Sequence, residues 1–182
     1  HCNSKNISLQ SFIIKVLSLT IEENQKINSV IRFGKIYRRK HISVFSHILP
    51  NINNDDLSGI KINEAQNKSL EEVNNEFNLK LQNAKTNDDL FFKSKKNFKY
   101  VPAFFSKVVL DFLSFIMYSL NFYSKNIPSP KDPFGSVMLT NIGSLGITKA
   151  LCPIAPYTKI PMVISIGKTE IKPWIINNEI SK

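Results

Sequence analysis

Hydrophobic positions recur at helical spacing in two well-bounded stretches of the chain. Ser8 is placed to cap a first helix that runs to about Glu23, because apolar residues follow it at intervals of three and four: Leu9, Phe12, Ile13, Val16, Leu17 and Ile21. Ser69 and Glu72 form a capping-box pair for a second helix, which ends near residues 86–87 and has an apolar face of Leu70, Val73, Phe77, Leu81 and Ala84. The sequence therefore predicts two amphipathic helices.

A third stretch, residues 103–122, is the most apolar part of the chain. Setting aside Ser106 and Ser119, its polar residues are spaced by four, three and seven and so form one narrow stripe on a helix: Lys107, Asp111, Ser114 and Asn121. Two charges within this stretch argue against a membrane-spanning helix, and the stripe is narrower than the polar face of helices that lie in a bilayer interface. We expect this helix to pack on the domain or on a neighbouring subunit, and a membrane surface is not favoured.

Shorter apolar runs, bounded by turn-forming residues, predict the strands. Gly34 separates two of them, which is typical of a hairpin, and the second run continues into a third strand. The predicted strand segments are residues 27–33, 35–45, 57–62, 137–140 and 162–166, with a final hairpin over 172–182 that turns at Asn177 and Asn178. Four of the six glycines and seven of the nine prolines lie from Pro128 onward. Backbone shape is specified most tightly there, as is common in segments that carry function.

Composition places the 182-residue chain among ordinary globular domains, with 42% hydrophobic and 21% charged residues. The net charge is +10, but eight of the fourteen acidic residues lie between Asp55 and Asp89, so the flanking segments are basic. Anionic partners are expected, whereas nucleic acid is not, because no zinc-finger, RNA-recognition or homeodomain signature accompanies the charge. Cys2 and Cys152 cannot form a disulfide framework and no signal peptide is visible, so we expect a cytoplasmic protein.

The most informative stretch is residues 135–146, GSVMLTNIGSLG. Here a short apolar strand ends at a hydroxyl, Thr140, and is followed by Asn141 and a tight turn. A proline-punctuated loop then leads to residues 160–167, IPMVISIG, and to Lys-Pro-Trp at 172–174. This combination resembles the catalytic domain of the 2-oxoacid dehydrogenase acyltransferases, the dihydrolipoyl acyltransferase core of the chloramphenicol acetyltransferase superfamily. It most resembles the stand-alone members of that family.

The resemblance is specific over residues 133–174 and weaker over residues 7–85. It implies an α/β fold, namely a two-layer sandwich of a mixed β-sheet with packed helices, as in chloramphenicol acetyltransferase. It also implies a homotrimer with active sites between subunits. We expect residues 1–182 to form a single acyltransferase-like catalytic domain, truncated at both ends, with a helical insertion near residues 91–127.

The resemblance further implies an activity and its residues. Thr140 corresponds to the hydroxyl that stabilises the oxyanion when an acyl group moves between thiols, and Asn141 to a residue that supports its turn. From the sequence alone, Thr140 could instead cap the Asn141 turn. The family's general base is a histidine in a His-x-x-x-Asp-Gly motif, which is not present in these 182 residues, so this segment alone is expected to be inactive.

The implied reaction is transfer of an acyl group between coenzyme A and a thiol or similar acceptor. A lipoyl group is a candidate acceptor, although the chain contains no lipoyl domain. The alternative to an enzyme is a non-catalytic protein of the same fold. Such a protein would act as a scaffold or as a membrane-surface partner through the 103–122 helix.

Other features of the sequence favour structure over chemistry. Residues 143–146 contain two glycines but no Walker lysine, so we predict a turn here rather than a phosphate-binding loop. We predict that Cys152 is a buried structural thiol rather than a nucleophile. The predicted hairpin around Gly34 carries five cations, which could bind phosphates. We favour the interpretation that they form a solvated strand face. The cations are Arg32, Lys35, Arg38, Arg39 and Lys40. No metal site is predicted, because no ligand spacing links His1, Cys2, His41 and His47.

Overall fold

The computed structural model describes residues 7–49, 58–85, 102–122, 132–176 and 179–181. Its helices are α1 (Leu9–Glu23), α2 (Leu70–Lys85) and α3 (Ala103–Ser114). Its strands are β1 (Ser29–Arg32), β2 (Lys35–Arg38), β3 (Ser43–Ile48), β4 (Ser58–Asn63), β5 (Val137–Asn141), β6 (Val163–Ile166), β7 (Trp174–Ile176) and β8 (Glu179–Ser181). Each predicted helix and strand is present, and the bounds agree within a few residues except at the third helix, whose α-helical part ends at Ser114 rather than near residue 122. The predicted turn at 177–178 lies outside the described residues.

The first two helices begin at the caps that the sequence predicts. At α1, the Ser8 hydroxyl oxygen accepts a hydrogen bond from the backbone N–H of Ser11 at 3.0 Å. At α2, the backbone N–H of Glu72 donates to Ser69 Oγ at 3.1 Å, and the N–H of Ser69 donates to Glu72 Oε2 at 2.7 Å. Both caps satisfy amide groups that have no partner inside the helix, so both predictions are confirmed.

The third helix differs from the simple helix that the sequence predicts. After Ser114 it widens into a π-helical turn, Phe115–Ser119, and it ends where Asn121 adopts a φ of +52°, a conformation that asparagine tolerates. Ser114 and Tyr118 are buried, whereas Phe104 is 86% exposed and Val108 64% exposed. Part of the apolar surface of α3 therefore faces outward. Within the described ranges, no helix has the length and apolar character needed to cross a membrane.

Four strands form a mixed sheet in the order β4-β3-β5-β6. β3 pairs antiparallel with β4 and parallel with β5, and β5 pairs parallel with β6. β1 and β2 form a separate antiparallel hairpin, as do β7 and β8. The fold is the predicted α/β class, in which helices pack on a mixed sheet.

The two faces of the four-stranded sheet have different surroundings. α1 and α2 cover one face, and their contact with the strands forms the main core, whose buried members include Ile14, Phe77, Val44, Ile62 and Leu139. The opposite face carries a smaller buried cluster of Phe45, Met138 and Ile160, against which Phe134 and Val163 pack. Alternate residues of β3 and β5 point to the two faces, as strand geometry requires. The second face is the one that carries Thr140.

Arg39 shows that the basic hairpin is not simply a solvated strand face. Its side chain is only 6% exposed, and its Nε–H donates to Asp132 Oδ2 at 2.9 Å. Its two terminal nitrogens donate to the backbone carbonyls of Ser29 and Lys159. The prediction of solvated charge is wrong for this residue, because Asp132, far away in sequence, supplies a carboxylate partner for the buried guanidinium group. Lys35 and Arg38, in contrast, are exposed.

Candidate active site at the carboxyl ends of the parallel strands

Two rows of side chains cross three neighbouring strands on the face away from α1 and α2. In the first row, Phe45 of β3 is in register with Met138 of β5, and Met138 is in register with Val163 of β6. All three belong to the smaller apolar cluster. Two residues further along each strand, the side chains on the same face are polar: His47, Thr140 and Ser165. We call these three residues the polar row.

The polar row lies toward the carboxyl ends of β3, β5 and β6, which run parallel to one another. Thr140 and Ser165 are direct register partners. In sheets of parallel strands, ligands commonly bind outside the carboxyl ends, because the connecting loops leave a crevice there. This edge of the sheet is therefore the best-placed site for chemistry in the described part of the chain.

Thr140 is half-buried, and no described residue forms a hydrogen bond with its hydroxyl group. The turn that follows is closed by other groups. Asn141 Oδ1 accepts a hydrogen bond from the backbone N–H of Ser144 at 3.3 Å, and Ser144 Oγ–H donates to the Asn141 carbonyl at 2.8 Å. Asn141 and Ser144 thus cap the turn. From the sequence alone, Thr140 was also a candidate for this capping role. The Thr140 hydroxyl is left without a capping bond.

Two glycines bring the ends of β5 and β6 close together. A Cβ atom on Gly143 would lie 2.7 Å from the carbonyl oxygen of Gly167, and one on Gly167 would lie 2.0 Å from the carbonyl oxygen of Thr148. Real Cβ atoms do not approach backbone oxygens so closely, so neither position accepts a side chain without movement. Residues 143–145 form a 3-10 turn, so the turn that the sequence predicts here is present.

Cys152 packs against the far end of the polar row. Ser165 Oγ lies 3.3 Å from Cys152 Sγ, and Cys152 is half-buried rather than buried as predicted. The preceding residues of its loop, 148–151, line an open trough of about 650 Å³. The trough is lined by Ile142, Thr148, Lys149, Ala150, Leu151, Ser165 and Gly167. It therefore reaches one member of the polar row, Ser165, from solvent.

Sequence reasoning did not find His47 and Ser165 as neighbours of Thr140. The imidazole ring of His47 packs edge-on against the Phe45 ring, with centroids 5.3 Å apart. Burial lowers the pKa of His47 below the ordinary value for histidine, which favours the neutral ring at neutral pH. The alternation along β3 places His47 on the same face as Phe45, but only the pairing of β3 with β5 brings it beside Thr140.

The other histidine in the described residues, His41, is exposed, and its Nδ1 lies 2.9 Å from Glu64 Oε1. A search of the described ranges finds no group of three or more His, Cys, Asp or Glu side chains that could hold a metal ion. His1 and Cys2 lie outside those ranges. His41 therefore forms a surface ion pair when it is protonated.

The fold is found in solved structures of acyltransferase catalytic cores. A probable dihydrolipoamide acetyltransferase from Listeria monocytogenes matches 99% of this chain with a TM-score of 0.63 and 17% identity. A dihydrolipoamide acetyltransferase from Azotobacter vinelandii, studied for the catalytic roles of a serine, a histidine and an asparagine, matches 96% with a TM-score of 0.62 and 12% identity. A truncated catalytic core of the 2-oxoacid dehydrogenase multienzyme complex from Thermoplasma acidophilum matches 92% with a TM-score of 0.53 and 12% identity.

The chain spans 59%, 55% and 60% of the lengths of these three structures, respectively. No protein-family model and no curated protein sequence matches it. The protein therefore has the fold of the dihydrolipoyl acyltransferase catalytic core, as the resemblance over residues 133–174 predicts. At these identities the likeness establishes the fold alone.

Proposed function

We propose that this chain is part of an acyltransferase that moves an acyl group between coenzyme A and a thiol or similar acceptor. One observation carries the proposal: the hydroxyl of Thr140 has no hydrogen-bond partner among the described residues, although it lies at a strand end fixed by its neighbours. The chain also has the fold of acyltransferase catalytic cores, which supports a role for this hydroxyl in acyl transfer.

Thr140 suits the role of oxyanion donor on chemical grounds. Attack of a thiol on a thioester produces a tetrahedral intermediate whose oxygen carries negative charge, and a pre-positioned O–H stabilises that charge. Thr140 is β-branched and lies on a paired strand, so few side-chain conformations are open to it. Asn141 supports the site indirectly, because its side chain and carbonyl hold the turn that follows.

The trough beside Ser165 suits a coenzyme A thioester. Its volume of about 650 Å³ is within the usual range of small-molecule sites, and Lys149 in its wall provides a cation for an anionic ligand. The thiol that accepts the acyl group could belong to a dihydrolipoyl group presented by another chain. We place the reaction in the cytoplasm, in keeping with the cysteine content.

The proposal includes assembly into a homotrimer. One structure of the same fold is the cubic core of the pyruvate dehydrogenase multienzyme complex, which matches 96% of this chain with a TM-score of 0.62. The outward apolar surface of α3, with Phe104, Phe105 and Phe112 all more than half exposed, is consistent with contacts between chains. Light scattering that shows only monomer at micromolar concentration would contradict the trimer.

The same apolar surface supports a second candidate function, that of a non-catalytic scaffold. In that case the polar row would have no chemical role, and substitution of Thr140 would leave partner binding unchanged. The two candidate functions therefore predict different effects of substituting Thr140: a loss of turnover for the acyltransferase, and no functional change for the scaffold.

The decisive experiment compares Thr140→Val with Thr140→Ser in the full-length protein. Removal of an oxyanion donor lowers kcat by roughly a hundredfold or more while KM changes little, because the donor binds the transition state better than the substrate. Thr140→Ser retains the hydroxyl and is expected to keep most activity. The assay is acyl transfer from acyl-coenzyme A to a thiol, with the melting temperature as the control for folding. Equal kcat in the wild type and in Thr140→Val would exclude the catalytic role.

A further inference from the structure

α3 and the π-helical turn after it present their most apolar side to solvent. Ser114 and Tyr118 are buried, whereas five apolar side chains of the same helical segment are each at least 45% exposed. At 3.6 residues per turn, the positions of these five fall within an arc of about 100° around the helix. We call them the α3 stripe: Phe104, Phe105, Val108, Phe112 and Phe115.

The β1–β2 hairpin adds to the same apolar surface. The ring of Phe33, in the hairpin turn, packs edge-on against the ring of Phe115, with centroids 6.1 Å apart. Ile31 and Ile36 are register partners, so their side chains share one face of the hairpin. Phe33, Ile31 and Ile36 are each at least 66% exposed. The α3 stripe and the hairpin therefore meet in one exposed apolar surface, which we call the α3–hairpin surface, and a patch of this kind marks an interaction site.

Positive charge exceeds negative charge around this surface. Lys35 and Arg38 of β2 are exposed, as is Lys107 of α3. Among the described residues of the hairpin, of α3 and of its π-helical turn, Asp111 is the only carboxylate. The net charge of these elements is therefore positive.

The carboxylates of α2 lie away from the α3–hairpin surface. α3 contacts the turn at Pro156–Thr158, and Tyr157 of that turn packs on Phe134 of the smaller apolar cluster, with ring centroids 5.8 Å apart. α2 covers the opposite face of the sheet and carries three carboxylates: Glu71, Glu72 and Glu76. These charges therefore do little to oppose attraction of the α3 side to an anionic surface.

We propose that the α3–hairpin surface docks on a membrane that contains anionic lipid. The phenylalanine rings insert at the boundary between headgroups and acyl chains, as in helices that lie in the plane of a membrane. Lys35 and Arg38 then lie near the anionic headgroups, and this charge complementarity selects an anionic membrane. Docking of this kind does not depend on the acyltransferase function.

The orientation of α3 removes the reason for which the sequence disfavours a membrane. From the sequence, the narrow polar stripe is expected to be the side of the helix in water, and it is narrower than the polar face of an interfacial helix. In the structure, Ser114 of that stripe is buried and the outward side of the helix is apolar. The neighbouring hairpin supplies the exposed cations that an interfacial helix usually carries on its own polar face.

A second copy of this chain fits the surface less well than lipid does. A two-fold contact places a surface against itself, so the hairpin cations of both chains would approach one another. Among the described residues of these elements, each chain offers only the Asp111 carboxylate in return. Anionic lipid supplies both the opposite charge and an apolar phase for the rings.

The test is co-sedimentation of the full-length protein with lipid vesicles. We expect binding to vesicles of phosphatidylcholine and phosphatidylserine at low salt, weaker binding at high salt, and little binding to phosphatidylcholine alone. Phe104→Gln/Phe112→Gln keeps the net charge and should weaken binding to the anionic vesicles by roughly tenfold or more, because two rings no longer insert. Leu79→Gln is the matched control, since Leu79 is 60% exposed on α2, and it should bind like the wild type.

A charge reversal tests the hairpin separately. Lys35→Glu should weaken binding to the anionic vesicles several-fold, and the difference from the wild type should shrink as the salt concentration rises. Lys85→Glu makes the same change of charge at an exposed residue of α2 and should have a smaller effect. Melting temperatures like that of the wild type would show that these exposed substitutions leave the fold intact.

Absence of the wild type from the vesicle pellet at low salt would overturn the proposal. Equal binding of the wild type and Phe104→Gln/Phe112→Gln would also overturn it, since net charge alone would then explain the attraction. If the same two substitutions change the oligomeric state in light scattering but not the binding to vesicles, the surface is an interface between chains and the lipid assignment is wrong. None of these measurements uses acyl transfer, so failure of this inference and failure of the proposed function are distinguishable.

Discussion

Replacement of Arg39 by methionine tests how the hairpin is held to the rest of the domain. The side chain is 6% exposed, its Nε–H lies 2.9 Å from Asp132 Oδ2, and its Nη2–H donates to the Lys159 carbonyl at 3.0 Å. Loss of one partner of a buried ion pair typically costs 3–5 kcal/mol. Because Asp132 is 31% exposed, water can solvate part of the charge that remains, so we expect a loss of about 2–3 kcal/mol in the free energy of unfolding.

The assay is urea denaturation, with Arg38→Met as the matched control. Arg38 is the preceding residue and is exposed, so its replacement should change the free energy of unfolding by less than about 0.5 kcal/mol. For a chain of this length, the Arg39→Met loss corresponds to a fall of roughly 5–10 °C in melting temperature. Arg39→Met/Asp132→Asn should be more stable than the sum of the single changes predicts, because it also removes the unpaired carboxylate. Equal costs for Arg39→Met and Arg38→Met would refute the argument.

Further predictions concern the strand ends and the second helix. Gly167→Ala should lower the free energy of unfolding by roughly 2 kcal/mol, because the new Cβ would lie 2.0 Å from the Thr148 carbonyl oxygen. Gly146→Asn should cost less than about 1 kcal/mol, because its Cβ would meet nothing within 4 Å and asparagine tolerates positive φ. Chemical denaturation measures both changes. The hydrogen bond from the Ser69 N–H lowers the pKa of the Glu72 carboxyl group in the folded state. The ionised carboxylate therefore stabilises the fold at pH values above its unfolded-state pKa, and this stabilisation is lost as the pH falls through the lower folded-state pKa. Glu72→Gln should therefore flatten the decline of melting temperature as the pH falls below the ordinary glutamate pKa of about 4.3, and an unchanged decline would contradict the link.

Local features of the fold were predictable because their causes are local. Ser8 and the Ser69–Glu72 pair mark helix starts through bonds to amides within three residues. The strand at 137–140 was recognisable from its apolar run and from the turn formers that follow it. The resemblance over residues 133–174 then indicated the fold class, which the structure confirms.

Features that depend on distant residues were not predictable. The sequence marks Arg39 as one cation among several, and nothing near it indicates the buried bond to Asp132. The place of His47 beside Thr140 depends on the register of β3 against β5, which no local pattern encodes. The π-helical turn after Ser114 was missed because no glycine or proline marks it. The role of Thr140 stays a prediction until its variants are assayed.

The parallel pairing of β3 with β5 also determines when the site can form during synthesis. The two strands are 93 residues apart where Ser43 bonds Ser136, so a nascent chain must wait for β5 long after α1, β3, β4 and α2 have emerged. Until then, β3 offers an open edge that can pair with another chain. The groups proposed to carry the chemistry are thus brought together last, and a ribosome-bound chain that ends before β5 would contain helices, a hairpin and part of the core, but no polar row.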